Sequence, residues 1–179
     1  MNALSNETKL KIEKTIKNLK ANKMDAYYCD NKEDACNLVK TLIKKGDVIS
    51  SGGSVTLKET GVYDIITSSD YKYLDRAAEG ITPEEAEEVY HKTFSSDVYF
   101  ASSNAITENG ELYNVDGNSN RVAAILYGPK SVILACGYNK IVKNIDEAID
   151  RVKKIAAPSN TIRSVSYTHL RAHETRRHL

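Results

Sequence analysis

The chain has 179 residues, 41% hydrophobic and 27% charged, with a formal net charge of +1. That length supports one domain with a hydrophobic core, and the near-neutral balance excludes a global pull toward nucleic acid or an anionic membrane. The polar N-terminus "MNALSNETKLKIEK" has no apolar signal core and no apolar run is long enough to span a membrane, so a cytoplasmic protein is expected.

In chain order, residues 5–22 read as an amphipathic helix with Leu10, Ile12, Ile16 and Leu19 on one broad face. "DAYYC" (25–29) reads as a short strand. Asn31 is placed to cap a helix whose apolar stripe is Ala35, Leu38, Val39, Leu42 and Ile43. "GDVISSGGS" gives a turn, a strand and a glycine turn, and "VTLKETG" a short helix ended by Gly61. "DYKYLDRAAEG" reads as loop with some helix. In "TPEEAEEVYHKTF" a helix start is plain: Thr82 caps, Pro83 takes the first position and Glu85 completes a capping box. "DVYFAS" is a strand. "AITENGELYNV" is a hairpin around Asn109-Gly110, a pair suited to a type I′ turn. "SNRVAAILYG" is a short helix, "KSVILACG" a strand, and "NIDEAIDRVKKIAA" a final helix with Ile145, Ala148, Ile149 and Val152 inward.

Strands alternating with helices imply an α/β domain with a largely parallel sheet and a local hairpin. In such a sheet the loops after the strands share one edge, where ligands bind. Three of these loops are rich in glycine or polar residues: Gly52-Gly53-Ser54, Ser102-Ser103-Asn104, and Gly137-Tyr138-Asn139-Lys140.

The first suits a phosphate or carboxylate, through glycine backbone, helix N–H groups and the hydroxyls of Ser54 and Thr56. The plainer reading is a tight turn with Ser54 as N-cap. In "NAITENGELYNVDGNSNR", Glu108 before the hairpin turn is a candidate nucleophile or base, and Arg121 a candidate bidentate anion ligand. Turn-forming side chains, with Arg121 paired to a nearby carboxylate, explain the same residues without a ligand. Lys140, just past a strand end, suits an anion or the solvent. Cys29, Cys36 and Cys136 lack CxxC spacing and read as reduced thiols, with Cys136 as inert core of a strand. No metal constellation and no Ser/His/Asp set stands out, and the residues name no cofactor.

Taken in order, "GGSVTLKETG", "SSNAITENGELYNVDGNSNRVAAILYGPKSVILACGYNKIV" and "APSNTIR" resemble the LUD-domain family, the lactate utilization protein C-like proteins. The resemblance covers residues 5–163. It implies a Rossmann-like three-layer α/β domain, similar to the sugar-phosphate isomerase and CoA-transferase group. It also implies a part in oxidising lactate to pyruvate, beside iron–sulfur redox partners. The matching positions include the expected ligand-binding set Gly52, Gly53, Ser54, Thr56, Asn104, Arg121, Asn139 and Lys140. "TENG" is similar to a glutamate-glycine turn of CoA transferases. That similarity makes an acyl- or CoA-transfer enzyme with Glu108 as nucleophile the alternative to an accessory protein that binds a small anion.

The ending "SVSYTHLRAHETRRHL" (164–179) departs from that pattern. It holds three of the four histidines, His169, His173 and His178, and basic residues that are all arginine. It resembles translated sequencing-adapter DNA. Residues 1–163 are therefore expected to be the domain, truncated before a cysteine-rich segment, and 164–179 a non-native, unpacked tail.

Overall fold

The computed structural model describes residues 4–161, so the expectation for residues 164–179 lies outside the described residues. The elements in chain order are α1 (Asn6–Ala21), α2 (Lys32–Leu42), β1 (Val48–Ser51), α3 (Val55–Glu59), α4 (Val62–Ile66), β2 (Lys72–Tyr73) and α5 (Pro83–Thr93). There follow β3 (Val98–Ala101), β4 (Ala105–Thr107), β5 (Leu112–Tyr113), α6 (Asn120–Leu126), β6 (Ser131–Leu134), β7 (Ile141–Val142) and α7 (Ile145–Arg151).

One sheet runs β2-β1-β3-β6 and is parallel throughout. Alternation along its strands sends side chains to two covered faces. Ile49, Val98 and Phe100 pack with Val39 and Ile43 of the α2 region and with Leu57, Val62 and Ile66 from α3 and α4. On the other face Tyr99 and Ala101 meet Ala124 of α6, and Ser50 Oγ lies 2.7 Å from Thr93 Oγ1 of α5. Helices on both faces make the expected three-layer, Rossmann-like α/β arrangement. β1 has β2 on one side and β3 on the other, so the chain changes direction across the sheet between β1 and β3. A crevice opens at the carboxyl ends of strands at such a switch point.

The second sheet runs β5-β4-β7, with β4 antiparallel to β5 and parallel to β7. Ala105, Val142 and Ala148 of α7 form its small core with Tyr113. α1 covers the hairpin end: Asn18 Nδ2 donates to the Glu108 carbonyl at 2.7 Å, and Asn22 Nδ2 to the Gly110 carbonyl at 3.1 Å.

Local signals set most helix starts. Ser5, Asn31 and Asn144 each accept a backbone N–H of the first turn they cap. The Thr82–Glu85 capping box is complete in both directions.

Several expectations are corrected. "DAYYC" forms no strand; Tyr27 and Tyr28 are exposed, and the two-residue β2 inside "DYKYLDRAAEG" takes the free edge of β1. Leu10 and Leu42 point to solvent, while Cys36 packs on the core instead. The hairpin is not a type I′ turn. Gly110 N–H donates to the Thr107 carbonyl at 2.9 Å, Thr107 N–H donates to the Glu111 carbonyl at 2.9 Å, and only Gly110 has positive φ (83°). That is a three-residue loop with glycine at the left-handed position. A Cβ at Gly110 would lie 2.7 Å from the Leu19 backbone nitrogen, so close packing of α1 also demands glycine there. The last helix widens into a π-helical turn over Val152–Ala156. Pro158, two residues on, supplies no N–H and crowds the preceding turn, a standard cause of such a disturbance.

Candidate functional site

The carboxyl end of β1 supplies Gly52, and that of β3 supplies Ser102; both lie at the switch point. Gly52 is buried, and a Cβ there would sit 2.7 Å from the Tyr99 hydroxyl and 3.3 Å from Arg121 Cδ. Glycine at this position lets the β1 turn close over the Arg121 stem. Gly53 is exposed. Ser54 Oγ accepts the Leu57 N–H at 3.3 Å, the plain capping part foreseen for it. Thr56, the second residue of α3, accepts from Lys140 Nζ at 3.4 Å.

Arg121 is fully engaged. Nε donates to Asp116 Oδ1 at 2.8 Å. Nη1 donates to the Ser102 carbonyl at 2.9 Å and to Asn114 Oδ1 at 2.7 Å. Nη2 donates to Asn104 Oδ1 at 2.9 Å and to the Val115 carbonyl at 3.1 Å. The Asp116 carboxylate also accepts the Val122 N–H at 2.7 Å, which ties the start of α6 to the same network. A guanidinium presents five donors, and these contacts use them all, with Asp116 neutralising the charge. Arg121 therefore builds the wall of the cleft rather than offering a hand to a ligand.

Lys140 is different. It ends a 3₁₀ turn, Tyr138–Lys140, just before β7. Its Nζ donates to Ser102 Oγ at 2.6 Å and to Thr56 Oγ1 at 3.4 Å, bridging the β3 end and α3. Burial pushes its pKa down. The charges of Arg151 and Arg121 act in the same direction, while Cys136 and Glu59 oppose them.

Arg151, the last residue of α7, was not singled out from the sequence. Its Nη1 donates to the Asn104 carbonyl and its Nε to the Asn139 carbonyl at 3.4 Å. Burial lowers its pKa too, with Cys136 opposing. Neither Lys140 nor Arg151 has a carboxylate at ion-pair distance among the described residues. In sequence, Arg151 sits among the solvated charges of an amphipathic helix. Only the docking of α7 on β4 carries it to the cleft.

Cys136 is corrected as well. β6 stops at Leu134, so Cys136 lies in the loop beyond it, half-buried at the same edge. Its Sγ accepts the Ser103 N–H at 3.3 Å and lies 3.5 Å from Ser102 Oγ. Asn104 joins through its carbonyl and its side chain, Asn139 through its carbonyl; the Asn139 side chain itself is exposed.

Glu108 is elsewhere. β4 runs beside β7 with Ile106 opposite Ile141 and Thr107 opposite Val142. Asn104 thus precedes β4 at the end that Arg121 and Arg151 hold, and Glu108 follows its far end. There Lys14 Nζ of α1 binds Glu108 Oε2 at 2.8 Å and holds its pKa down, with the Lys11 and Lys143 charges adding to the effect and burial opposing it. The structure thus brings together Gly52, Thr56, Asn104, Arg121, Lys140 and the backbone of Asn139; Gly53 and Ser54 occupy the turn between Gly52 and Thr56, and Glu108 lies at the far end of β4.

No group of three or more His, Cys, Asp or Glu among the described residues is placed to hold a metal. No helix among them is long and apolar enough to cross a membrane.

A parallel sheet wrapped by helices on both faces, with polar loops, Lys140 and Arg151 gathered at its switch-point edge, defines an α/β protein of Rossmann-like architecture. The LUD-domain family model matches residues 12–176, and the chain belongs to that family. The family is associated with lactate utilization proteins. Comparison with curated proteins and with solved structures returned no match.

Proposed function

We propose that this protein serves lactate, or a related organic-acid, utilization as an accessory component that binds a small anion in the cleft at the ends of β1 and β3. The observation that carries this reading is the pair Lys140 and Arg151: two half-buried cations that repel each other and have no carboxylate at ion-pair distance among the described residues. A carboxylate ligand would relieve that repulsion and accept charge-assisted hydrogen bonds, worth about 1.5–3 kcal/mol each. Ser102 and Thr56 add hydroxyls for its second oxygen.

Titration calorimetry of lactate and of pyruvate tests this directly. Binding is expected, and expected to weaken in Lys140→Gln and in Arg151→Gln. Equal affinity in both variants would remove the cleft from the reading. Iron–sulfur redox proteins are the partners this reading expects, with co-purification from the source organism as their test.

The geometry favours anion binding over the acyl- or CoA-transfer alternative. A nucleophilic Glu108 would have to give up Lys14 and act at the opposite end of β4 from the basic cleft. A covalent acyl adduct on Glu108, absent from Glu108→Gln, would reverse that preference.

A further inference from the structure

A lysine placed only to attract an anion works best in water, fully charged. Lys140 is half-buried instead, and its amine donates to two neutral hydroxyls, with Cys136 and Glu59 nearby in the same field. A desolvated lysine beside other cations is how an amine is kept available as a nucleophile toward carbonyl groups. Building on the anion-binding reading, we propose that Lys140 forms an imine with a 2-oxo acid, whose carboxylate lies against Arg151 while its carbonyl carbon meets Nζ.

The neighbours divide the work. The Asn104 and Asn139 carbonyls hold the Arg151 guanidinium beside the ends of β3 and β4. Arg121 is consumed by its own network, so it sets the local potential without competing for the carboxylate. Burial and the two guanidiniums lower the Lys140 pKa against the opposing Cys136 and Glu59, which makes the free amine easier to reach than on an exposed lysine. Nζ attacks C2 of the oxo acid; a C–N bond forms and the carbonyl π bond becomes a hydroxyl. The C–O bond then breaks, and both amine hydrogens leave with that oxygen as water. Ser102 Oγ, 2.6 Å from Nζ, is placed to pass the proton between nitrogen and departing oxygen. Atoms and electrons balance without an oxidant or reductant.

Ser102 with Lys140 as its base is the competing chemistry, and it calls for an ester or amide. Arg151, with no carboxylate at ion-pair distance among the described residues, favours a substrate that keeps a free carboxylate, and the amine then faces the adjacent carbonyl.

The test is reductive trapping. The full chain is incubated with pyruvate and cyanoborohydride, digested, and each lysine is read by mass spectrometry. The expected result is a carboxyethyl group on Lys140 well above that on any exposed lysine, reduced by excess lactate and lost in Lys140→Arg. At saturating pyruvate, Ser102→Ala should still slow trapping, so that the loss is one of rate and not of occupancy alone. Calorimetry without the reductant runs alongside. If pyruvate binds and Lys140 carries no more adduct than the exposed lysines, the imine is wrong and the anion site stands. If pyruvate neither binds nor is trapped, both readings fail.

Discussion

Arg121 and Lys140 stand at the same edge of the same sheet, share Ser102 as a neighbour, and both looked like anion ligands. Their surroundings separate them. Arg121 is met by Asp116, Asn114, Asn104 and two carbonyls, a set that satisfies its geometry and neutralises its charge. Lys140, with Arg151 nearby, has only uncharged oxygen partners. The difference teaches that a cation's place in a motif does not say whether it binds a ligand or holds the loops that do. The decisive feature is whether the fold has already supplied its counter-charge.

The largest effect should come from breaking the saturated side. Arg121→Met leaves Asp116 nearly buried without its partner, a loss of about 3–5 kcal/mol for a buried pair cut on one side. Denaturant unfolding should show the midpoint falling accordingly. Lys140→Gln should cost about 1 kcal/mol, since it gives up hydrogen bonds to hydroxyls and no ion pair. Equal losses in the two variants would erase the distinction between wall and ligand.

Gly52→Ala attacks the wall from the other side. The new methyl would press on the buried Tyr99 hydroxyl and the Arg121 stem, and overpacking of this kind costs about 1–3 kcal/mol. The same unfolding measurement reads it, and a neutral result would mean that the β1 turn is slacker than its contacts imply.

These elements also show what a sequence can and cannot reveal. Capping chemistry is local, so Thr82–Glu85, Asn31 and Asn144 were legible, as were the apolar strands β3 and β6 and the parallel α/β plan. β2 and β7 have two residues each, too few for any period to appear, and "DAYYC" has strand-forming residues but pairs with neither sheet. Within the site, glycine turns and polar loops flagged the right edge. Whether Arg121 was neutralised, whether Arg151 arrived from α7, and which end of β4 Glu108 occupied all depend on contacts between residues far apart in the chain.

On the unsaturated side, Lys140→Gln or Arg151→Gln should weaken lactate binding by about ten- to hundredfold, the loss of one charge-assisted hydrogen bond. pH sharpens this further. The groups acting on Lys140 are Arg121 and Arg151, which lower its pKa with burial, and Cys136 and Glu59, which oppose them. As pH rises through that lowered value, below the ordinary 10.5, the ammonium is lost. Lactate affinity should therefore fall over the range in which pyruvate trapping rises. Parallel pH profiles would leave no reason to assign both events to one amine.

The smallest effect belongs to Glu108. Its ion pair with Lys14 is partly exposed on the lysine side, and such pairs contribute about 0.2–1 kcal/mol. Because Lys14 lowers the folded-state pKa of Glu108, the contribution is present above the unfolded value of about 4.5 and is lost as pH falls through the folded one. Glu108→Gln should accordingly be slightly less stable than the parent at neutral pH, and the gap should close in acid. Lactate affinity should not change, because Lys14 and the hairpin lie at the far end of β4 from Asn104 and the cleft. An affinity loss comparable to that of Lys140→Gln would show that the two ends of β4 act as one site, and Glu108 would return as a candidate for the chemistry.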